Sequence, residues 1–402
     1  MGVGATLAVR LGHLAAIPFT WWAALGLPLA VACWAALRRA PDAATREGVL
    51  VAASVVALAV LGSPVLAATW LAYAVAFRAV VDGGLPRAAR VAGVVALLAA
   101  MVAAPVWAIA WLGTRGRFAR DVTAFATNVA LLRFWAYAAD RAAGAVPALP
   151  LRRYLVAMLF FPTFVNGPIE PSRALAEPWP APDAGDLGAG LRRVGLGVAR
   201  MLLVGVAFAP GWTGVLAAAP TASAARLWCW GALLYVWFFL SFAAWSDVAI
   251  GLGRVCGRRV AENFRQPWMA GDVADFWHRW HVSLGHWLRD YVYFPLGGGR
   301  RCRIRNVLVV FAVSAAWHVW GTLKLLGFGY YPPAAWISFG AWGLLHGLAV
   351  AYGPRAGRGP VLAWRAGTFA FAAWAWIPFF LPGGVGAWDG GRVLLRMLLP
   401  WT

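Results

Sequence analysis

The stretch Glu262–Arg305, ENFRQPWMAGDVADFWHRWHVSLGHWLRDYVYFPLGGGRRCRIR, sets three histidines, four tryptophans and many charges between segments that are otherwise hydrocarbon-like. The chain around it reads as membrane. Of its 402 residues 62% are hydrophobic and 12% charged, with a mean hydropathy of +0.69, against about 45–50% apolar and about 25% charged in soluble domains. Charged and hydrogen-bonding side chains are costly at membrane depth unless they face a cavity, a partner or a substrate path. The search for function therefore starts in this stretch.

Outward from it, apolar runs lie near residues 14–37, 48–80, 91–113, 122–138, 154–168, 194–218, 226–253, 305–321, 334–353 and 361–382. A spanning helix needs about 20 apolar residues to cross roughly 30 Å of hydrocarbon, and the run at 48–80 can hold two short or bent spans. The expected architecture is an all-α polytopic membrane protein of about ten to twelve transmembrane or re-entrant helices, forming one integral membrane domain over residues 1–402. The polar segment 172–193, PSRALAEPWPAPDAGDLGAGLR, reads as a loop, because its prolines and glycines break any periodic pattern. Arg10 ahead of apolar sequence has the look of a signal peptide. The apolar region His13–Leu37 is too long for one and is followed by Arg38 and Arg39, so a retained first span is expected.

Net charge is +20, almost wholly from arginine. Nucleic acid is not the natural inference, since basic clusters flanking apolar spans more often follow the positive-inside rule. The clusters are Arg38/Arg39, Arg115/Arg117/Arg120, Arg152/Arg153, Arg192/Arg193, Arg254/Arg258/Arg259 and Arg300/Arg301/Arg303/Arg305. The last two bracket the unusual stretch, which leaves a second reading open: a funnel that attracts a phosphate-rich substrate or lipid headgroups.

Within the stretch, Asp275–Tyr293 is expected to form one helix. Trp277, Trp280, Leu284, Trp287 and Tyr291 recur at three- and four-residue steps as an aromatic stripe, and Asp275, His278 and His281 share a flank. Two histidines three apart can in principle bind metal, but no third strong ligand stands at a recognisable spacing, so none is expected. Cys33, Cys229, Cys256 and Cys302 are scattered without CxxC spacing and support neither a disulfide framework nor a zinc site.

Downstream, VSAAWHVWG places His318 in an apolar span and GLLHG places His346 in the next. Five of the six histidines lie between 278 and 346, and imidazole is the side chain best suited to take a proton near neutral pH. A neutral histidine that deprotonates a hydroxyl and lets it attack a thioester suffices for acyl transfer. There is no GxSxG elbow and no evident activated cysteine, so direct base-assisted transfer is favoured over a covalent relay.

FWHRWHVSLGHWLRDYVYFPLGGGR, followed by AWH at His318, resembles the membrane-bound O-acyltransferase family, and most of all its bacterial branch of alginate O-acetylating and teichoic-acid D-alanylating proteins. LFFPTFVNGPIEPSR at 159–173, FLSFAAWSDVAIGLGRVCG at 239–257 and ENFRQPW at 262–268 match further elements of that family in collinear order, so the resemblance covers about residues 120–350. Two features depart from the pattern. Bacterial members commonly read WHG, whereas here Val319 and Trp320 follow His318, and Gly321–Pro333 looks like an insertion before the span bearing His346.

The resemblance implies a ring of helices around a central tunnel, with His318 as catalytic base and His281 orienting the acyl thioester or stabilising developing charge. It places Asp247, Asn166, Trp317, Arg289 and Asp290 as candidate substrate-binding positions. Asp247 and Asn166 are equally open to packing or capping roles, and Arg289 and Asp290 to pairing with neighbours. No bound cofactor or metal is implied. The donor substrate would be acyl-CoA or an acyl-carrier thioester, the acyl group acetyl, and the acceptor a hydroxyl of a cell-envelope or exported polysaccharide. Membrane lipids and an extracytoplasmic acyl-transfer partner protein are the expected partners, nucleic acid is not, and the location implied is the bacterial cytoplasmic (inner) membrane. The rival readings are a polysaccharide or lipid transporter without acyl chemistry and, less favoured, a membrane di-iron hydroxylase or desaturase. The latter needs several histidine boxes where HRWH is the only close pair.

Overall fold

The computed structural model describes residues 3–112, 117–174, 176–207, 221–326, 332–357, 360–377 and 387–398. Arg115 of the basic clusters and residues 327–331 of the expected insertion lie outside them. Among the described residues the regular structure is helical, and extended backbone pairs only in an isolated antiparallel bridge between Phe264 and Trp280. Four helices there are long and apolar enough to cross a membrane: Ala43–Leu61, Pro64–Asp82, Ala224–Val255 and Arg303–Gly321. The protein is thus an all-α polytopic membrane protein. Its chain divides into two compact units, one of Ile17–Ala199 with Ala244–Glu262, the other of Met1–Ala16, Arg200–Ala243 and Asn263–Thr402.

In the first unit the long apolar run 48–80 is cut in two, as its length suggested. Gly62 ends one helix, the Ser63 hydroxyl accepts the backbone N–H of Leu66 at 3.0 Å, and Pro64 supplies a first-turn residue that has no N–H to satisfy. Trp70, Phe77, Phe134, Tyr137 and Tyr154 form an aromatic core. Buried charge is paired there: Arg153 meets Glu47 at 2.7 Å, and Asp82 takes Arg141 at 2.6 Å and the Tyr137 hydroxyl at 2.7 Å.

Two expectations fail in this unit. The run 154–168 is no span, because Pro162 and the Asn166-Gly167-Pro168 turn leave only Leu151–Leu159 and Phe161–Phe164 helical. Nine residues at 1.5 Å each reach only about 14 Å. Gly167 is required here, since a Cβ would lie 2.5 Å from the Thr163 Cα. The segment 172–193 is loop only to Asp183, after which Ala184–Ala207 is helical. Asp183 and Asp186 cap that helix reciprocally, each carboxylate accepting the other's backbone N–H, at 2.6 and 3.0 Å. Its glycines are contact points rather than breakers: a Cβ on Gly190 would lie 2.7 Å from the Gly251 carbonyl oxygen, and one on Gly197 2.8 Å from that of Ala244.

In the second unit, helices Arg303–Leu326 and Pro332–Tyr352 pack along one another. The GLLHG sequence makes that possible. A Cβ on Gly343 would stand 3.1 Å from the Phe311 carbonyl oxygen and one on Gly347 3.1 Å from Leu308 Cδ2, the close approach that small residues four apart permit between membrane helices.

The single helix expected over Asp275–Tyr293 is broken. Val273–Arg279 is capped by Asp272, whose side chain accepts the Asp275 N–H at 2.9 Å; then Trp280 is extended, His281 sits at φ 46°, and a new helix runs over Val282–Leu288. A π-helical turn follows at Arg289–Tyr293. The break is imposed from outside the helix. Asn263–Arg265 runs beside it, with Arg265 N–H donating to Arg279 O and Val282 N–H to Asn263 O, both at 2.9 Å. Asp275, His278 and His281 therefore do not share a helical flank, and Asp275 instead pairs with Arg279 at 2.8 Å.

Candidate active site

A cavity of about 420 Å³ opens within the second unit, lined by residues of Ala274–Phe294, of the helices Arg303–Leu326 and Pro332–Tyr352, and by Arg355 and Trp376. Its size suits a small-molecule site. The exposure of the lining gives it a direction. His278, His286, Arg289, Arg303 and Arg355 are exposed, while Trp280, His281, Ser314, Trp342 and Trp376 are buried, so a cationic mouth leads to an aromatic inner end that carries histidine.

Both candidate catalytic histidines line this cavity. His281 is held at its turn by a left-handed backbone that a residue with a side chain adopts only when its surroundings compel it. Its Nδ1 lies 3.0 Å from Asn263 Oδ1, an acceptor that also takes the Ser283 hydroxyl at 2.9 Å. Nδ1 must therefore carry the proton, which leaves Nε2 as the acceptor nitrogen. Burial, with His318 adding to it, pushes the His281 imidazole down to about 3, so the ring is neutral at physiological pH.

His318 reaches the same tautomer from another direction. One helical turn back, the Ser314 carbonyl oxygen accepts from His318 Nδ1 at 2.7 Å, and again Nε2 is left as the acceptor. The ring is half-buried because it faces the cavity, and the Trp342 ring packs across it at 5.4 Å. Sequence reasoning missed Ser314 and Asn263 as orienting groups. ENFRQPW contained Asn263, but its distance of 18 residues from His281 gave no local signal.

The other candidates fall elsewhere. Of Trp317, Arg289 and Asp290, only Arg289 lines the cavity; its guanidinium is tied to Asp290 at 2.8 Å. Asp247 and Asn166 belong to the first unit, where buried Asp247 pairs with Arg193 at 2.8 Å. Of the basic cluster after the glycine turn, Arg303 reaches the cavity and is joined there by Arg355, which the sequence did not single out. The turn itself is held by Asn306, whose side-chain amide donates to the carbonyls of Leu296, Gly298 and Arg301 at 2.7–3.1 Å. Gly297 and Gly298 take φ of 99° and 58° there, positions that favour glycine. Among the described residues no three His, Cys, Asp or Glu side chains gather as a metal-ligand set.

Residues 148–330 match the sequence model of the membrane-bound O-acyltransferase family. Over 125 residues the chain is 38% identical to a probable alginate O-acetylase AlgI of Pseudomonas fluorescens, covering 30% of this chain and 22% of that protein. It is 34% identical over 153 residues to a peptidoglycan O-acetyltransferase of Helicobacter pylori, covering 35% and 26%. Against a teichoic acid D-alanyltransferase of Bacillus subtilis the identity is 30% over 190 residues, covering 42% and 47%. The chain thus spans between about a fifth and about half of the length of these relatives, and the segment similar to the family contains His281 and His318.

Proposed function

We propose that this chain is a membrane-embedded O-acyltransferase, moving an acetyl group from a thioester to a hydroxyl of a cell-envelope or exported polysaccharide at the bacterial cytoplasmic membrane. The observation that carries the proposal is the shared tautomer of His281 and His318. Two imidazoles in one cavity each donate Nδ1–H to the protein, so that in the neutral ring the acceptor nitrogen is Nε2. A general base needs an unprotonated ring nitrogen within reach of the proton it takes.

In the proposed reaction His318 Nε2 takes the acceptor's hydroxyl proton as the oxygen attacks the thioester carbonyl. The tetrahedral adduct collapses with cleavage of the C–S bond, and the thiolate leaves with the proton returned by the imidazolium. The neutral ring of His281 has no Nε2 proton to give a developing oxyanion. It is suited instead to accepting a hydrogen bond from a second donor group of the substrates, such as a neighbouring hydroxyl of the acceptor, and so to orienting them beside His318.

The cationic mouth supports a donor that bears phosphate, acyl-CoA or an acyl-carrier thioester, since clustered positive charge raises the local concentration of an anion. A separate extracytoplasmic protein would then carry the acyl group onward or present the polymer.

Full-length protein in proteoliposomes, supplied with radiolabelled acetyl thioester and a panel of polysaccharides, tests the proposal. Labelled ester should form with the wild type and fall about 10²–10⁴-fold with His318→Ala, while secondary structure and monodispersity are retained. Ester formation by His318→Ala at the wild-type rate would refute the base assignment. Polymer flux without ester formation would favour a transporter.

A further inference from the structure

His346 takes no part in the chemistry just described, yet its surroundings are specific. It is 0% exposed, one residue before Gly347, in the part of its helix that is pressed closest to Leu308 and Phe311. Its Nδ1 accepts the indole N–H of Trp277 at 3.3 Å. That bond leaves the ring's proton on Nε2, a buried donor with no hydrogen-bond partner among the described residues. A buried polar group retained at such a cost calls for an explanation. The other contacts of the ring are aromatic: Trp277 at 5.1 Å, Phe371 at 5.2 Å and Trp342 at 5.5 Å.

Trp277 lines the reaction cavity and packs edge-on against Trp342 at 5.7 Å, and Trp342 in turn packs against His318 at 5.4 Å. The Trp277 ring also packs edge-on against Phe276 at 5.3 Å and Phe311 at 5.4 Å, but apolar contacts are non-directional, whereas a hydrogen bond from the indole N–H has a preferred direction. The buried His346, on a helix packed closely against its neighbour through Gly343 and Gly347, supplies that directional restraint.

We propose that His346 is a positioning residue of this site: by accepting the Trp277 indole N–H it holds that ring, and through it Trp342, as the wall against which His318 is set. The proposal rests on the acyl-transfer reading above. His346 touches no substrate. Its removal lets the wall shift, which misplaces the base and lowers turnover more than it weakens donor binding.

The test uses full-length protein with 15N-labelled indoles and three variants. His346→Phe keeps an aromatic ring and loses the acceptor; His346→Asn keeps an acceptor where Nδ1 stood; Trp277→Phe loses the donor. The indole resonance that vanishes in Trp277→Phe should shift in His346→Phe and stay near its wild-type position in His346→Asn, and this reads the hydrogen bond without any substrate. In the acyl-transfer assay His346→Phe and Trp277→Phe should each lower kcat about 3- to 10-fold, the double variant should fall no further than either, and His346→Asn should recover most of the loss. Wild-type kcat in His346→Phe, or two losses that simply multiply in the double variant, would overturn the proposal. A wild type that transfers no acyl group overturns the functional reading instead, and the indole resonance still decides whether His346 holds Trp277.

Discussion

Asn263 holds His281 in a single tautomer from 18 residues away: one amide oxygen accepts the imidazole Nδ1–H at 3.0 Å and the Ser283 hydroxyl at 2.9 Å. The same residue's backbone carbonyl takes the N–H of Val282, so side chain and main chain together hold the turn at which the ring is presented. Asn263→Ala would leave a buried imidazole N–H and a buried hydroxyl without their acceptor. The expected loss is about 1–3 kcal/mol of stability, read by chemical or thermal denaturation in detergent, with acyl transfer falling as well. Asn263→Ala with wild-type stability and activity would show that the tautomer does not matter.

Protonation of His281 should leave a signature in stability. Burial places its folded pKa at about 3 against an ordinary value of 6.5, so between those values the unfolded chain binds the proton and the folded one does not. Stability therefore rises with pH across that window and is flat above it. Denaturation midpoints from pH 4 to 8 should show this slope in the wild type, and His281→Asn should remove His281's part of it. An unchanged slope in the variant would place the titration elsewhere.

The cavity mouth makes a selective prediction among the arginines. Arg303 and Arg355 line the cavity, whereas Arg300 and Arg301 do not. Arg303→Gln with Arg355→Gln should raise the donor KM more than it lowers kcat, with an effect that shrinks as salt is raised. Arg300→Gln with Arg301→Gln should leave donor KM unchanged. Equal effects from the two pairs would mean that overall charge, not the mouth, governs donor capture.

Gly343 is expected to tolerate no larger side chain, because its absent Cβ would stand 3.1 Å from the Phe311 carbonyl oxygen and 3.2 Å from Ala315 Cβ. Gly343→Val should push apart the helices that carry His318 and His346, destabilising the protein by about 1–3 kcal/mol and lowering activity in step. Gly340, in the same helix with open space around its Cβ position, provides the control, and Gly340→Ala should be silent in both measurements.

Much of this was legible in the residues. Apolar runs of spanning length identify an all-α membrane protein because a bilayer requires every backbone group to be satisfied within the helix, and Ser63-Pro64 announces its helix start locally. Histidines crowded into one region of an apolar chain point to a site, since imidazole is expensive there without a task. Glycine misled in both directions. Within 172–193 it suggests a loop where from Ala184 the chain is helical and Gly190 is a helix contact, while before Pro168 it helps to end a helix that hydropathy alone extends.

What the sequence determined by itself, then, is what depends on neighbours a few residues apart: the presence of long apolar helices, the start at Ser63-Pro64, the paired glycines Gly343 and Gly347, and the presence of His281 and His318. Only the tertiary structure decided the rest. It broke the helix at His281 by laying Asn263–Arg265 alongside it, fixed the His281 tautomer, brought Arg355 to the cavity beside Arg303, and set His346 behind Trp277. Most of these contacts join residues 14 to 69 positions apart. Hydrogen bonds over such separations leave no periodic trace in a sequence, because their geometry exists only after the helices have packed.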